Sequence, residues 1–125
     1  MFRLIIAGSR TFNDYGLLRA YCDMKLSRKI AAGEEIEIVS GACPSGADAL
    51  GEHYAIERGY KVKRFPADWQ RYGKVAGPMR NREMAMYADA CIVFWDGSSR
   101  GSVSMMNEAK TMGIPLSVKK YGGSL

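Results

Sequence analysis

Short apolar runs alternate with amphipathic stretches along the whole chain. Residues 2–7, FRLIIA, are an apolar run closed by Gly8 and read as a buried strand. Asn13 or Asp14 can cap a helix reaching about residue 31, with Leu18, Cys22, Leu26 and Ile30 spaced by four along one side and Gly33 ending it. Residues 36–40, IEIVS, give a second strand. Ser45 can cap a helix over about 46–58, closed by Gly59. Residues 60–65 form a third strand that Pro66 stops, and the alternation of Lys61 and Lys63 with Tyr60 and Val62 predicts a sheet edge with one solvated face.

The next dozen residues, ADWQRYGKVAGP, are expected to be a long loop, which in a compact domain is usually functional. A helix is expected from Met79 to Tyr87, then the strand ACIVFW and a polar, Gly-rich turn, WDGSSRGS. Val103, Met106, Ala109 and Lys110 mark a further helix ended by Gly113, and residues 115–118 a short last strand. The tail is expected to fray from about residue 120.

Five strands alternating with four helices, without a hairpin, predict one α/β domain over residues 1–125. It is a Rossmann-like, three-layer fold with a parallel sheet and helices on both faces. If the chain reverses direction after the third strand, the strand order is 3-2-1-4-5. Ligands then bind at the switch point between strands one and four.

Composition narrows the function classes. With 125 residues, 47% of them hydrophobic and 25% charged, the chain can bury a core and does not read as disordered. No apolar run approaches a membrane span, and the first apolar run is too short for a signal peptide. Cys22, Cys43 and Cys91 are an odd set without a C-x-x-C pair, and His53 is the one histidine. That argues against a disulfide framework or a metal site and favours a cytoplasmic setting. Cys22 and Cys91 are expected in the core, Cys43 is a weak nucleophile candidate, and His53 is expected on the surface. The net charge of +5 suits an anionic partner, but without a basic stripe it disfavours nucleic acid.

The segments after strands one to four share small residues, hydroxyls and an occasional arginine: GSR, SGACPSGAD, ADWQRYGKVAGPMRN and DGSSRGS. Glycine lets backbone approach a phosphate, helix N-termini offer free N–H groups, and arginine clamps phosphate oxygens. Neither GxGxxG nor GxxxxGK[ST] is present, which argues against dinucleotide dehydrogenases and P-loop NTPases. Candidate ligand residues are Gly8, Ser9, Arg10, Ser40, Gly41, Ala42, Gly46, Asp48, Asp68, Trp69, Arg80, Asn81, Asp96, Gly97, Ser98, Gly101 and Ser102. Asp48 reads equally well as a carboxylate complementing the dipole of its helix. Asp68 and Trp69 read either as a loop anchor or, for Trp69, as a base-stacking surface. Arg80 is placed in the first turn of its helix, where a cation opposes the macrodipole and a bound phosphate would compensate. Arg100 is expected to face solvent or to belong to a lid.

The segments IAGSR, SGACPSGAD, FPADWQRYGKVAGPMRNREM and VFWDGSSRGS resemble the YspA-type branch of the SLOG superfamily. That superfamily includes LOG-type nucleotide phosphoribohydrolases, DprA proteins and nucleotide-sensing domains. The resemblance spans about residues 3–118. It implies a Rossmannoid fold with a nucleotide or ADP-ribose-like ligand over the strand ends; no cofactor beyond that ligand is expected.

Two LOG-type patterns carry over residue by residue. Arg80-Asn81 with Met84 matches an Arg-Lys pair in the ligand site, with Asn81 in place of the lysine. Gly97, Ser98, Gly101 and Ser102 align with the PGGxGT phosphate loop, with Trp95-Asp96 at its start and one residue inserted. The catalytic glutamate of LOG-type enzymes falls at Met105, and Glu108 lies three residues further on. Asp48, Asp68 and Asp96 are the carboxylates that could substitute.

The leading expectation is therefore a nucleotide-binding domain that senses or sequesters its ligand, alone or through a separate partner; a homo-oligomer is compatible with this. A hydrolase of an N-glycosidic bond and a DNA-binding accessory protein are the alternatives.

Overall fold

The computed structural model describes residues 1–122. Its elements are β1 (Phe2–Gly8), α1 (Tyr15–Ala31), β2 (Ile36–Ser40), α2 (Gly46–Arg58), β3 (Lys61–Arg64), α3 (Trp69–Tyr72), α4 (Ala76–Tyr87), β4 (Ala90–Trp95), α5 (Arg100–Met112) and β5 (Leu116–Lys120). All five strands run parallel in the order β3-β2-β1-β4-β5, as the alternation of elements predicts. The lysine-rich β3 is an edge strand.

The two-residue period of a strand sends alternate side chains to opposite faces of the sheet. Leu4 and Ile6 of β1 join Leu18, Cys22 and Leu26 of α1 and Tyr54 and Ala55 of α2 on one face. Ile5 and Ala7 join Met84 and Ala85 of α4 and Met105, Met106 and Ala109 of α5 on the other. Cys22 and Cys91 are core residues, and burial pushes both thiols up to about 12. His53 is exposed and lies edge-on to the ring of Tyr15.

The long loop expected after Pro66 is largely helical instead. Asp68 caps the single-turn α3, its carboxylate accepting from the Arg71 N–H at 3.1 Å. A 3₁₀ turn, Gly73–Val75, leads directly into α4, which begins at Ala76 rather than Met79. Pro78 is the third residue of α4, where its missing N–H removes no helical bond. Arg80 consequently lies in the second turn, further from the positive end of the helix dipole than the sequence suggested. Ser45 occupies the N-cap position of α2, but its side chain makes no capping hydrogen bond. β5 runs on to Lys120, and Tyr121 packs edge-on against Phe12; the rest of the expected frayed tail, residues 123–125, lies outside the described residues.

Candidate functional site

The chain runs from β1 outward to β3 and then returns to β4 beside β1, so the loops after these two strands diverge. A cleft of about 920 Å³ opens over the strand ends at this point. Its walls come from the turn after β1, the turn after β2 with the first residues of α2, Trp69 of α3, the first half of α4, and the start of α5.

Close backbone contact shapes the β1–β4 side. A β-carbon on Gly8 would lie 2.1 Å from the Phe94 carbonyl oxygen, so only glycine lets β1 end there. The next residue, Ser9, is buried and acts as a knot. Its N–H donates to the Phe94 carbonyl (3.0 Å), its carbonyl accepts from the Phe12 and Ala47 N–H groups (both 3.2 Å), and its Oγ accepts from the Asp96 N–H (3.2 Å). Gly46 is tied to the same knot. Its φ is +70°, and a β-carbon would lie 2.3 Å from the Ser9 carbonyl oxygen. Gly46 therefore seats the start of α2 against Ser9 and does not itself line the cleft.

Asp96 braces the β4–α5 turn. Its Oδ1 accepts from the Ser98 and Ser99 N–H groups at 2.9 and 2.8 Å, and these bonds hold its carboxyl below the usual carboxylate range. Ser99 caps α5, taking the Ser102 N–H on its Oγ. Of Gly97, Ser98, Gly101 and Ser102, Gly101 alone lines the cleft; Ser102 is buried against Ser99. Ser99 and the exposed Arg100 complete this wall. The first amides of α5, at Arg100 and Gly101, have no carbonyl one turn earlier in the helix to bond.

Facing them is the best-organised charged group of the site. Arg80 donates from Nη1 to the Gly41 carbonyl and from Nε to Asn81 Oδ1 (2.8 Å), and Asn81 Nδ2 donates to Ser104 Oγ (3.2 Å). Asn81, standing where LOG-type proteins have lysine, is buried and positions the guanidinium. Burial works against the charge of Arg80 and lowers its pKa, with Asp48 partly offsetting this. Asp48 is itself only 9% exposed, and its Oδ2 accepts from the Cys43 N–H at 3.1 Å. Burial pushes its carboxyl upward against the opposing pull of that N–H and of Arg80. Among the described residues neither Arg80 nor Asp48 joins an ion pair.

Gly41 separates the two, and Ala42 beyond it holds a left-handed φ of 64°, unusual for a residue with a side chain. Ser40 lies beneath this turn and outside the cleft. It donates to Glu52 Oε2 (2.5 Å) and accepts from the Ala42 N–H (3.0 Å).

At the mouth, Trp69 is 48% exposed and packs against Gly77 of α4. The Arg10 guanidinium stands 6.0 Å from the centre of its ring. Asp68 caps α3 and does not line the cleft. Cys43 is half-buried in the wall. The floor includes Met105, 1% exposed, at the place of the LOG-type glutamate, while Glu108 pairs with Arg82 at 3.7 Å outside the cleft. Asp48 and Asp96 are the carboxylates that line it, among the described residues. Thr11, Ser99 and Ser104 also line it without having been singled out in the sequence. For Ser104 the helical spacing from Gly101 was an available signal.

Comparison with known proteins agrees with this architecture. The profile of the YspA, cpYpsA-related SLOG family matches residues 2–72, which covers Ser9, the Gly41–Asp48 turn and Trp69. The Gene 61 protein of Mycobacterium phage D29 is 34% identical over 122 residues, covering 93% of this chain and 94% of that protein. No solved structure matches the chain. With more than half its length matched by the profile and a relative aligned almost end to end, the chain belongs to the YspA, cpYpsA-related SLOG family.

Proposed function

We propose that the cleft binds a nucleotide or nucleotide derivative of the ADP-ribose type, and that the protein senses or sequesters this ligand rather than cleaving it. The observation that carries this reading is Arg80. A half-buried guanidinium, oriented by Gly41 and Asn81 yet paired with no carboxylate among the described residues, opens onto the cleft. An arginine has five N–H donors and two bonds use only part of them. The remaining donors suit phosphate oxygens, and the free amides at the start of α5 add to the same demand for an anion. Trp69 beneath Arg10 offers a flat, half-exposed face on which a base can stack.

Met105 on the floor supports binding over LOG-type hydrolysis, because a thioether can neither activate water nor stabilise an oxocarbenium-like transition state. Thermal melting with AMP, ADP-ribose, guanine nucleotides and cyclic dinucleotides tests the reading. A ligand at 100 times its Kd adds about 2.7 kcal/mol, a rise of several degrees for a domain of this size. No shift with any of them at millimolar concentration would count against it.

A further inference from the structure

Of the two carboxylates that line the cleft among the described residues, Asp48 is the more buried. It is 9% exposed and lines the cleft. The Cys43 N–H is its only hydrogen-bond donor among the described residues, and that bond goes to Oδ2. Among the described residues Oδ1 therefore has no protein donor. Asp96 differs in exposure and role: it is only half-buried, and its Oδ1 holds the β4–α5 turn through Ser98 and Ser99. An ionised carboxylate accepts up to about four hydrogen bonds, and Oδ1 keeps solvent contact in the open cleft, so a ligand that covers it must replace that water with a donor.

The neighbours of Asp48 restrict what can supply the missing donor. A β-carbon on Gly41 would lie 2.8 Å from both Asp48 Oδ2 and Arg80 Nη1. A guanidinium with donors to spare and a carboxylate oxygen without a protein donor among the described residues thus open side by side over one glycine. A ligand that meets both must carry an anionic group and a neutral donor a few bonds apart. A free base lacks the anion, and inorganic phosphate, although its P–OH can donate, carries no separate neutral hydroxyl several bonds from its anionic oxygens, whereas a ribose phosphate has both.

Resting on the nucleotide reading above, we propose that Asp48 accepts a hydrogen bond from a ribose hydroxyl, so that the cleft selects ribonucleotides over their deoxy counterparts. The hydroxyl serves as donor to Oδ1 while the phosphate engages Arg80. Specificity of this kind follows when a site is built around a polar group, because a bound ligand lacking the hydroxyl shuts the carboxylate off from water and gives it no donor in exchange.

The test is calorimetric titration of wild type and Asp48→Asn with AMP, 2′-deoxy-AMP, 3′-deoxy-AMP and 2′,3′-dideoxy-AMP, with GMP and 2′-deoxy-GMP as a base control. Thermal melting establishes that the variant is folded. Wild type is expected to bind AMP at least tenfold more tightly than the dideoxy compound, with one of the monodeoxy compounds losing most of that difference. In Asp48→Asn the gap should fall below about threefold. Equal binding of AMP and dideoxy-AMP by wild type would overturn the assignment while leaving the nucleotide reading intact. So would a preference that follows the base and ignores the sugar, since Asp48 would then be reading guanine, or a ribose preference that persists unchanged in Asp48→Asn. Failure of every nucleotide to bind would overturn the nucleotide reading and this assignment with it.

Discussion

The guanidinium of Arg80 and the carboxylate of Asp48 stand on two sides of Gly41, both 2.8 Å from where a β-carbon on that residue would sit, without closing an ion pair. Gly41→Ala inserts a methyl group between them. The Cys43 N–H holds Asp48 in place, so the more flexible Arg80 must give way and strain its bond to the Gly41 carbonyl. Overpacking of this sort costs roughly 1–3 kcal/mol. The variant should melt several degrees lower and bind AMP or ADP-ribose at least tenfold more weakly. Denaturant titration and calorimetry read the two effects separately.

Ser9 should behave as a structural residue. Removing its hydroxyl in Ser9→Ala leaves the Asp96 N–H without its acceptor and loosens the β4–α5 turn. An unmade hydrogen bond at a largely buried site costs about 1–3 kcal/mol. The melting temperature without ligand should fall by several degrees. An unchanged melting temperature with lost nucleotide binding would make Ser9 a ligand contact instead.

The raised carboxyl of Asp48 gives stability a pH dependence opposite to that of a salt-bridged carboxylate. Desolvation is the main cause, and it disfavours the charged form in the folded state. Below the unfolded carboxylate value, about 3.9, Asp48 is neutral in both states and contributes nothing. As pH rises from there to the raised folded value, the unfolded chain ionises first and stability is lost; above it the full deficit remains. Asp48→Asn keeps an oxygen for the Cys43 N–H and removes the charge. It should melt above wild type at pH 7, with the difference shrinking as the pH approaches 4. A variant less stable than wild type at pH 7 would show that the charge braces the fold.

The floor of the cleft predicts the chemistry. Met105 occupies the place of the LOG-type glutamate, and Glu108 is engaged by Arg82 outside the cleft. The wild-type protein should release no free base from nucleoside monophosphates above the uncatalysed rate, measured by chromatography. Robust turnover that Asp48→Asn abolishes would identify Asp48 as a substitute catalytic carboxylate.

The fold was legible in the sequence because its signals are local. Apolar runs such as ACIVFW bounded by glycine and polar turns, and helices with residues such as Leu18, Cys22 and Leu26 on one side, define their elements without reference to distant contacts. The start of α4 was not legible. Gly73, Gly77 and Pro78 read as breakers, whereas in the fold Asp68 caps the preceding α3 and Pro78 sits in the first turn of α4, where a helix accepts it. The candidate site was legible as a set of loops, less so residue by residue. Gly8 and Gly46 stand out in sequence as residues a phosphate could approach, but their close neighbours are Phe94 and Ser9, distant along the chain. Asn81 and Ser104 are 23 residues apart, and no spacing rule connects them until α4 and α5 pack together.

Arg80 carries the central claim, and one calorimetric comparison addresses it directly. Wild type and Arg80→Ala are titrated with ADP-ribose and AMP under the same conditions. A charge-assisted contact to phosphate is worth roughly 1.5–3 kcal/mol, so the variant should bind at least tenfold more weakly than a wild type that saturates at one ligand per chain. Its fold should survive, because the two hydrogen bonds lost are offset by relief of a partly desolvated charge. Saturable binding that Arg80→Ala leaves unchanged, or no saturable binding by wild type at millimolar ligand, would contradict the account.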